Sequence, residues 1–427
     1  MTTYSRYVKK SSASWAAGTE ASPITEDAYR VEDLSYNTET SNTVQTNTFV
    51  GEYQGAPPRP AGRYGLVALT AELRGSQTNV PPYEGALLRA CGFKEAIHAF
   101  PVTDPTHDTC YQYSLGDLHL NTMTPAGIVD PIDITVNMDR EQSAVLSCVG
   151  NAQLRLEANQ IPKIALNFRG LVDDSVATST TAGFEEANVP DITIGSIPVP
   201  VQDSDFFLRD HAATVVDISV TDYEMTPADI ITVATDMTAT FTPFTYIKVS
   251  GGANAGYYTV IYSEYNSGTG TDIYVYEDLT ATLVGTDAIT EVYHAYSELV
   301  VLRYNIDLGN VTDERSDMNG TFGFSQPLIT SRNPTADCQI ECTALSEFNP
   351  YNKYIINSSF DIVCHINNGA GDNDEITIFQ TVKMSAYPSK TDVNGKFVYD
   401  LQFMQDIGSG VYPLTLLWGH ALNPFSA

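Results

Sequence analysis

Positive charge is scarce in this chain. Its 427 residues carry 22 Lys and Arg against 52 Asp and Glu, a formal net charge of −30. A field of that sign repels nucleic acid, which excludes a general DNA-binding protein unless the cations cluster, and they do not. Charged residues of both signs make up only 17%. Thr, Ser, Asn and Tyr supply the polar surface instead, a profile that suits strands. No apolar run approaches ~18 residues, so no membrane-spanning helix is expected. The opening segment has Lys9 and Lys10 but no apolar stretch of the signal-peptide kind, so none is expected.

Catalytic and metal-binding patterns are equally thin. The seven histidines (His98, His107, His119, His211, His294, His365 and His420) show no HxH, HExxH or His–carboxylate spacing. No GxSxG elbow occurs. Gly251 to Gly256 is glycine-rich but lacks the Lys and Ser/Thr of a phosphate loop, so a tight turn is expected there. Asp372-Asn373-Asp374-Glu375 is the best candidate for a hard divalent ion, yet it lacks EF-hand spacing and reads as turn chemistry. Cys91, Cys110, Cys148, Cys338, Cys342 and Cys364 are spread without a CxxC. Three disulfides are allowed by count, but a chain with its own core needs no staples, so thiols in a reducing cytoplasm are expected. The sequence offers no catalytic residues, no metal ligands and no cofactor, and reads as a non-enzyme.

Hydrophobic content of 43% supports a sizeable core. Period-2 alternation dominates. Val67, Leu69, Ala71 and Leu73 alternate with Thr70, Glu72 and Arg74, and Ile132, Ile134, Val136 and Met138 with Asp133, Thr135, Asn137 and Asp139. Val149-Gly150-Asn151 reads as a turn, followed by strands around Leu154–Leu156 and Ile164–Phe168, giving an antiparallel meander. Ile376, Ile378, Gln380 and Val382 alternate with Thr377, Phe379, Thr381 and Lys383. Phe397, Tyr399, Leu401 and Phe403 close a terminal hairpin across the Asp392–Gly395 turn. One short helix is expected at Tyr83–Ala90, after Pro81 and Pro82 and before Gly92.

Other segments read as arms and loops. Residues 1–28 are polar and small, an arm expected to order only by packing on something else. Val31 to Tyr53 reads as an exposed β-hairpin arm and Gln54 to Arg63 (QGAPPRPAGR) as a loop carrying Arg59 and Arg63. Residues 172–212 are loop-rich, and Ala213 to Asp222 returns to strand. Residues 223–298 are tyrosine-dense and acidic with Lys248 as the sole cation, and short strands at close spacing mark an inserted small β domain. The expected organisation is a β domain over 1–222, the insert over 223–298, and the β domain again over 299–427.

Three stretches carry a family resemblance. They are Leu66 to Phe93 (LVALTAELRGSQTNVPPYEGALLRACGF), Leu302 to Arg332 (strand, asparagine turn, second strand), and Gly369 to Gly395 with its D-x-x-G hairpin. In this order they resemble the major tail tube proteins of long-tailed bacteriophages. The run F-x-x-F-x-x-I-x-V-S-G-x-x-N-x-G-Y-Y resembles a small β module found inside tail proteins. The resemblance implies a mainly β, sandwich or barrel tail-tube domain with a flanking helix and arms. It also implies stacked, hexameric rings around a channel that holds the tape-measure protein and then passes the genome. The implied partners are further copies of the chain, the tail terminator and the tail-tip or baseplate proteins, with the virion tail, assembled in the host cytoplasm, as the location. An acidic lumen would repel DNA phosphates, with Ile132–Met138 and Phe397–Met404 as lining candidates. The insert is expected on the outside, with weak host-surface contact. Two alternatives stay open: another tail component such as a terminator, baseplate or fibre protein, and a secreted carbohydrate-binding or carbohydrate-cleaving β protein.

Overall fold

The computed structural model describes residues 7–12, 28–44, 59–75, 82, 84–99, 109–115, 130–138, 141–172, 204–225, 229–275, 279, 282, 287–296, 299–318, 324–367, 375–406 and 413–418. The protein is mainly β, built from antiparallel sheets with two short helices among the described residues. The chain divides into two compact units, residues 1–96, 113–200 and 305–335, and residues 97–112, 201–304 and 336–427.

In the first unit, seven strands pair antiparallel in the order Asp33–Val44, Arg59–Glu72, Lys163–Val172, Glu141–Glu157, Ile132–Met138, Tyr7–Ser12, Ala28–Arg30. The alternation fixes which face is buried. Leu34, Leu69 and Leu166 stand in register on one face, as do Val67 and Phe168, and all are buried. Each such side chain contributes about 1.5–3 kcal/mol of transfer free energy. Helix Gly85–Ala90 lays Leu87, Leu88 and Ala90 inward. It ends at Gly92, whose φ of 88° is left-handed, the conformation that suits glycine after a helix. A two-stranded ribbon, Val311–Ser316 with Phe324–Ser331, completes the unit.

Several sequence expectations are corrected here. Val149-Gly150-Asn151 is not a turn: the strand Glu141–Glu157 runs through it, with its irregularity at Leu146/Val149. Gly150 serves close approach instead, since a Cβ there would lie 2.4 Å from the Asn167 carbonyl oxygen. Residues 59–63 of the expected loop are strand. Among the described residues they pair on one side only, with Asp33–Val44, which is where a strand tolerates Pro60. The part of the expected hairpin arm that is described, Asp33–Val44, therefore pairs with Arg59–Glu72. Tyr7–Ser12, expected in an arm ordered from outside, is a strand of the chain's own sheet.

The second unit contains a closed six-stranded antiparallel barrel. Its order is Thr214–Glu224, Ile230–Val233, Gly270–Val275, Gly256–Asn266, Tyr246–Ser250, Ala288–Tyr293 and back to the first. The core includes Tyr223, Ile231, Phe241, Ile247, Val260, Ile273 and Ile289, and closure removes the sheet edges. The barrel takes in Thr214–Glu224, a strand the alternation alone attached to the preceding segment.

The same unit carries a second sheet. Asp205–Asp210 pairs with Ser359–Asn367, which pairs with Glu375–Met384. That strand is flanked on its far side by Lys396–Gln405 at one end and Thr415–Trp418 at the other. Both faces of Glu375–Met384 are buried, including Thr377, Gln380 and Thr381, so its alternation did not mark a half-exposed strand. The Ser389–Val393/Lys396–Gln405 hairpin turns through Asn394 and Gly395, with φ of 55° and 83°, the two-residue Asn-Gly turn whose twist matches a hairpin. A second helix, Pro350–Ile355, was not expected. Asn349 caps it by accepting from the Asn352 N–H at 3.0 Å, and Pro350 occupies its first turn.

Candidate functional site

The first candidate is a strand edge. Asp33–Val44 is 12 residues long, and among the described residues its strand pairing runs to Arg59–Glu72 alone. Its core-facing side chain Leu34 is buried, while Ser35 and Asn37 are exposed. The outer backbone edge is the kind of surface on which another strand adds. Two nearby aromatic features stiffen the hairpin: the Tyr36 and Thr38 hydroxyls bond at 2.9 Å, and the Arg169 guanidinium lies 4.5 Å from the Tyr64 ring centroid.

The first unit is also tied by a polar node at Asn310. The Asn310 side-chain amide donates to the Cys91 carbonyl at 2.8 Å and the Gly150 carbonyl at 2.9 Å. Its Oδ1 accepts from Arg332 Nε at 2.8 Å. Arg332 also donates to the carbonyls of Cys91 and Gly92, at 3.1 and 3.3 Å. The Asn310 N–H donates to Asn151 Oδ1 at 2.9 Å, and Asn151 and Gln153 both donate to Asp307. Burial lowers the Arg332 pKa to about 10, against the raising influence of Cys91, so it is charged at neutral pH. The helix C-terminus, the asparagine turn and Arg332 all come from stretches that carry the family resemblance. The node satisfies the carbonyls that end the helix and sets the turn on the meander.

The second unit holds a cluster of buried charge. Arg209 donates to Asp361 Oδ2 through Nε at 3.3 Å and Nη2 at 3.1 Å. His211 Nδ1 lies 3.0 Å from Asp361 Oδ1, and Thr381 Oγ1 donates to the same oxygen at 2.8 Å. Next to it, Ser359 Oγ donates to Asp406 Oδ2 at 2.7 Å and Lys383 lies 3.1 Å from that oxygen. Arg209 and Asp361 are buried. The hydrogen bond to Asp361 raises the His211 pKa, burial opposes it, and the charges of Asp361 and Asp406 add to the rise. Burial would raise Asp361, but its bond to His211 and the Arg209 charge hold it below the usual carboxylate range. An oriented imidazole on a buried Asp is half of a general-base arrangement. The two hydroxyls here donate to carboxylates, so the cluster reads as a lock joining Asp205–Asp210 to Ser359–Asn367.

The remaining sequence candidates fall as follows. His365 is buried, with Nδ1 2.9 Å from Thr377 Oγ1. His294 packs edge-on against Tyr296, and burial lowers its pKa. The side chains of His98, His107, His119, His420 and Cys110, and residues 372–374, lie outside the described residues. Gly251–Gly256 joins two barrel strands, and Gly252 lies against the buried Asp287 carboxylate, which accepts from Tyr223 at 3.1 Å. Cys91, Cys148, Cys338, Cys342 and Cys364 are thiols. Among the described residues no three His, Cys, Asp or Glu side chains converge as metal ligands. Of the lining candidates, Ile132, Ile134 and Val136 are buried and Asp133 accepts from the Ser147 N–H at 2.7 Å. Phe397 and Met404 are exposed. Compared with known proteins, the chain matches no family model and no curated protein.

Proposed function

We propose that this chain is a structural subunit that polymerises into the tail tube of a long-tailed bacteriophage, as stacked, hexameric rings. The observation that carries the proposal is the long hairpin Asp33–Val44/Arg59–Glu72, whose first strand pairs, among the described residues, with Arg59–Glu72 alone. A strand edge of that length is an aggregation hazard in a monomer and a joint in a polymer. The ordered family resemblance supplies the ring geometry, and the helix end, the asparagine turn and Arg332 of the Asn310 node lie in the same stretches. On this reading the tube holds the tape-measure protein and then conducts the genome, with terminator and tip proteins at its ends. The net charge of −30 keeps DNA sliding instead of adhering. The tail-tube sandwich or barrel, the virion location and the absence of catalysis belong to the same proposal.

Negative-stain electron microscopy of the full chain across a concentration series tests it. Rings with a central hole, or tubes that lengthen with concentration, are expected. A protein that stays monomeric and also fails to extend on isolated tail tips refutes it. Asn37→Pro and Thr38→Pro sharpen the test. Adjacent N–H groups in a strand point to opposite edges, so one variant strikes the outer edge and the other strikes the hairpin's own ladder. The outer-edge variant is expected to keep its melting temperature and lose assembly.

A further inference from the structure

We propose that one outer wall of the barrel is a docking face for a lysine- and arginine-rich polypeptide segment. The wall is formed by Ile230–Val233, Gly270–Val275 and Gly256–Asn266, with the end of Thr214–Glu224 beside them.

Strand register assembles it. Glu264 stands opposite Asp272, Asp272 opposite Thr232, and Thr232 opposite Asp222. In the neighbouring row Tyr262 faces Tyr274, Tyr274 faces Ile230, and Ile230 faces Glu224. The intervening residues Tyr223, Ile231 and Ile273 point into the core, so both rows lie on the outer face. Asp222, Glu224, Glu264 and Tyr262 are exposed. The Tyr262 and Tyr274 rings stack with centroids 4.1 Å apart and planes 15° apart. Tyr274 donates to Glu264 at 2.9 Å and Thr232 to Asp272 at 2.8 Å.

Like charges directly opposite each other destabilise a sheet, yet Glu264 and Asp272 are so placed. The barrel offers little to relieve them. Between Thr214 and Tyr293 Lys248 is the sole Lys or Arg, and it belongs to another wall, bonded to Glu291 at 2.9 Å. Carboxylates beside tyrosine rings fit a guanidinium or ammonium, which pairs with the acids and lies over the aromatic faces. A second copy of this chain, at a net charge of −30, is the wrong complement, and a nucleic acid is repelled. A neutral saccharide would leave the opposed Glu264 and Asp272 charges uncompensated.

The test uses the full chain and fluorescent arginine-rich and lysine-rich peptides of equal length, read by anisotropy. The face variant carries Asp222→Asn, Glu264→Gln and Asp272→Asn. A control variant carries Glu157→Gln, Asp313→Asn and Glu347→Gln, exposed acids elsewhere, with the same change in net charge. At about 0.15 M salt the face variant is expected to bind about tenfold more weakly and the control less than about twofold. The arginine-rich peptide is expected to bind tighter than the lysine-rich one, with Tyr262→Ala narrowing the gap. The face variant is expected to melt no lower than wild type, since neutralisation removes like-charge pairs. Equal weakening in both triple variants would reduce the effect to diffuse charge and overturn the proposal, as would wild-type protein that binds neither peptide.

Discussion

Asn310→Ala is the most informative single change in the first unit. It removes two amide donors, to Cys91 and Gly150, and the acceptor of Arg332 Nε. The Cys91 carbonyl keeps Arg332 Nη2 at 3.1 Å. The Gly150 carbonyl loses this donor, and the cationic Nε loses its acceptor. Each partner left unsatisfied costs about 1–3 kcal/mol, more toward the upper end for a charged group, so the loss is about 3 kcal/mol. For a cooperative unit of this size that is a fall in melting temperature of roughly 6–12 °C. Cys91 gives a local readout, because its side chain is fully buried and alkylation requires opening. If opening is fast and reversible, about 3 kcal/mol raises its alkylation rate roughly a hundredfold. Asn310→Asp keeps an acceptor for Arg332 but turns a carboxylate toward two carbonyl oxygens, so it is expected not to restore stability. A loss below about 1 kcal/mol for Asn310→Ala, or a neutral Asn310→Asp, would show that the node does not tie the unit together.

Three more expectations follow from the geometry. Gly252→Ala is expected to destabilise the barrel by about 2–3 kcal/mol, because φ is +61° and a Cβ would lie 2.3 Å from Asp287 Oδ1; a melt unchanged from wild type would show that the turn relaxes. His211 has a raised pKa in the folded state. Its contribution is therefore complete below the unfolded value near 6.5 and is lost as pH rises through the folded one. Asp361, held low, contributes above about 3.9 and loses its effect as pH falls through its folded value. Melting curves of wild type against His211→Gln should converge as pH rises above about 6.5; a pH-independent difference counts against a titrating lock. Finally, burial pushes the Cys91, Cys148, Cys338 and Cys364 thiols up, with Cys364 raised to about 12. Iodoacetamide on the native protein, followed by peptide mass analysis, is expected to leave these four unmodified while Cys342 reacts; rapid native labelling of Cys148 or Cys338 would contradict the packing.

Local chemistry alone determined a good deal of this protein. Alternation at Val67–Leu73 and Ile132–Met138 marks strands because side chains on a pleat take opposite faces, and burying one face requires apolar residues at every second position. Gly92 after an apolar helical stripe, and Asn394-Gly395 between two alternating runs, identify their turns because few residues tolerate positive φ. Scarce cations were likewise readable at once. What the tertiary structure decided are the matters that depend on distant neighbours. Gly150 looks the same in a turn as in a strand; the carbonyl of Asn167, brought against it by sheet pairing, settles which it is. Glu375–Met384 alternates, but strands on both sides and packing on both faces bury its polar residues too, and no periodicity registers a second cover. Helix Pro350–Ile355 is too short for a 3.6-residue pattern, and its Asn-Pro start gains meaning only with the Asn349 cap formed. The asparagine turn was legible, but not that Asn310 bonds Gly150 and Cys91, 160 and 219 positions away. Nor was it legible that Arg209 and His211 share Asp361. A charge or an amide in a sequence declares what it can bond, and only the closing of long loops into a sheet declares with what.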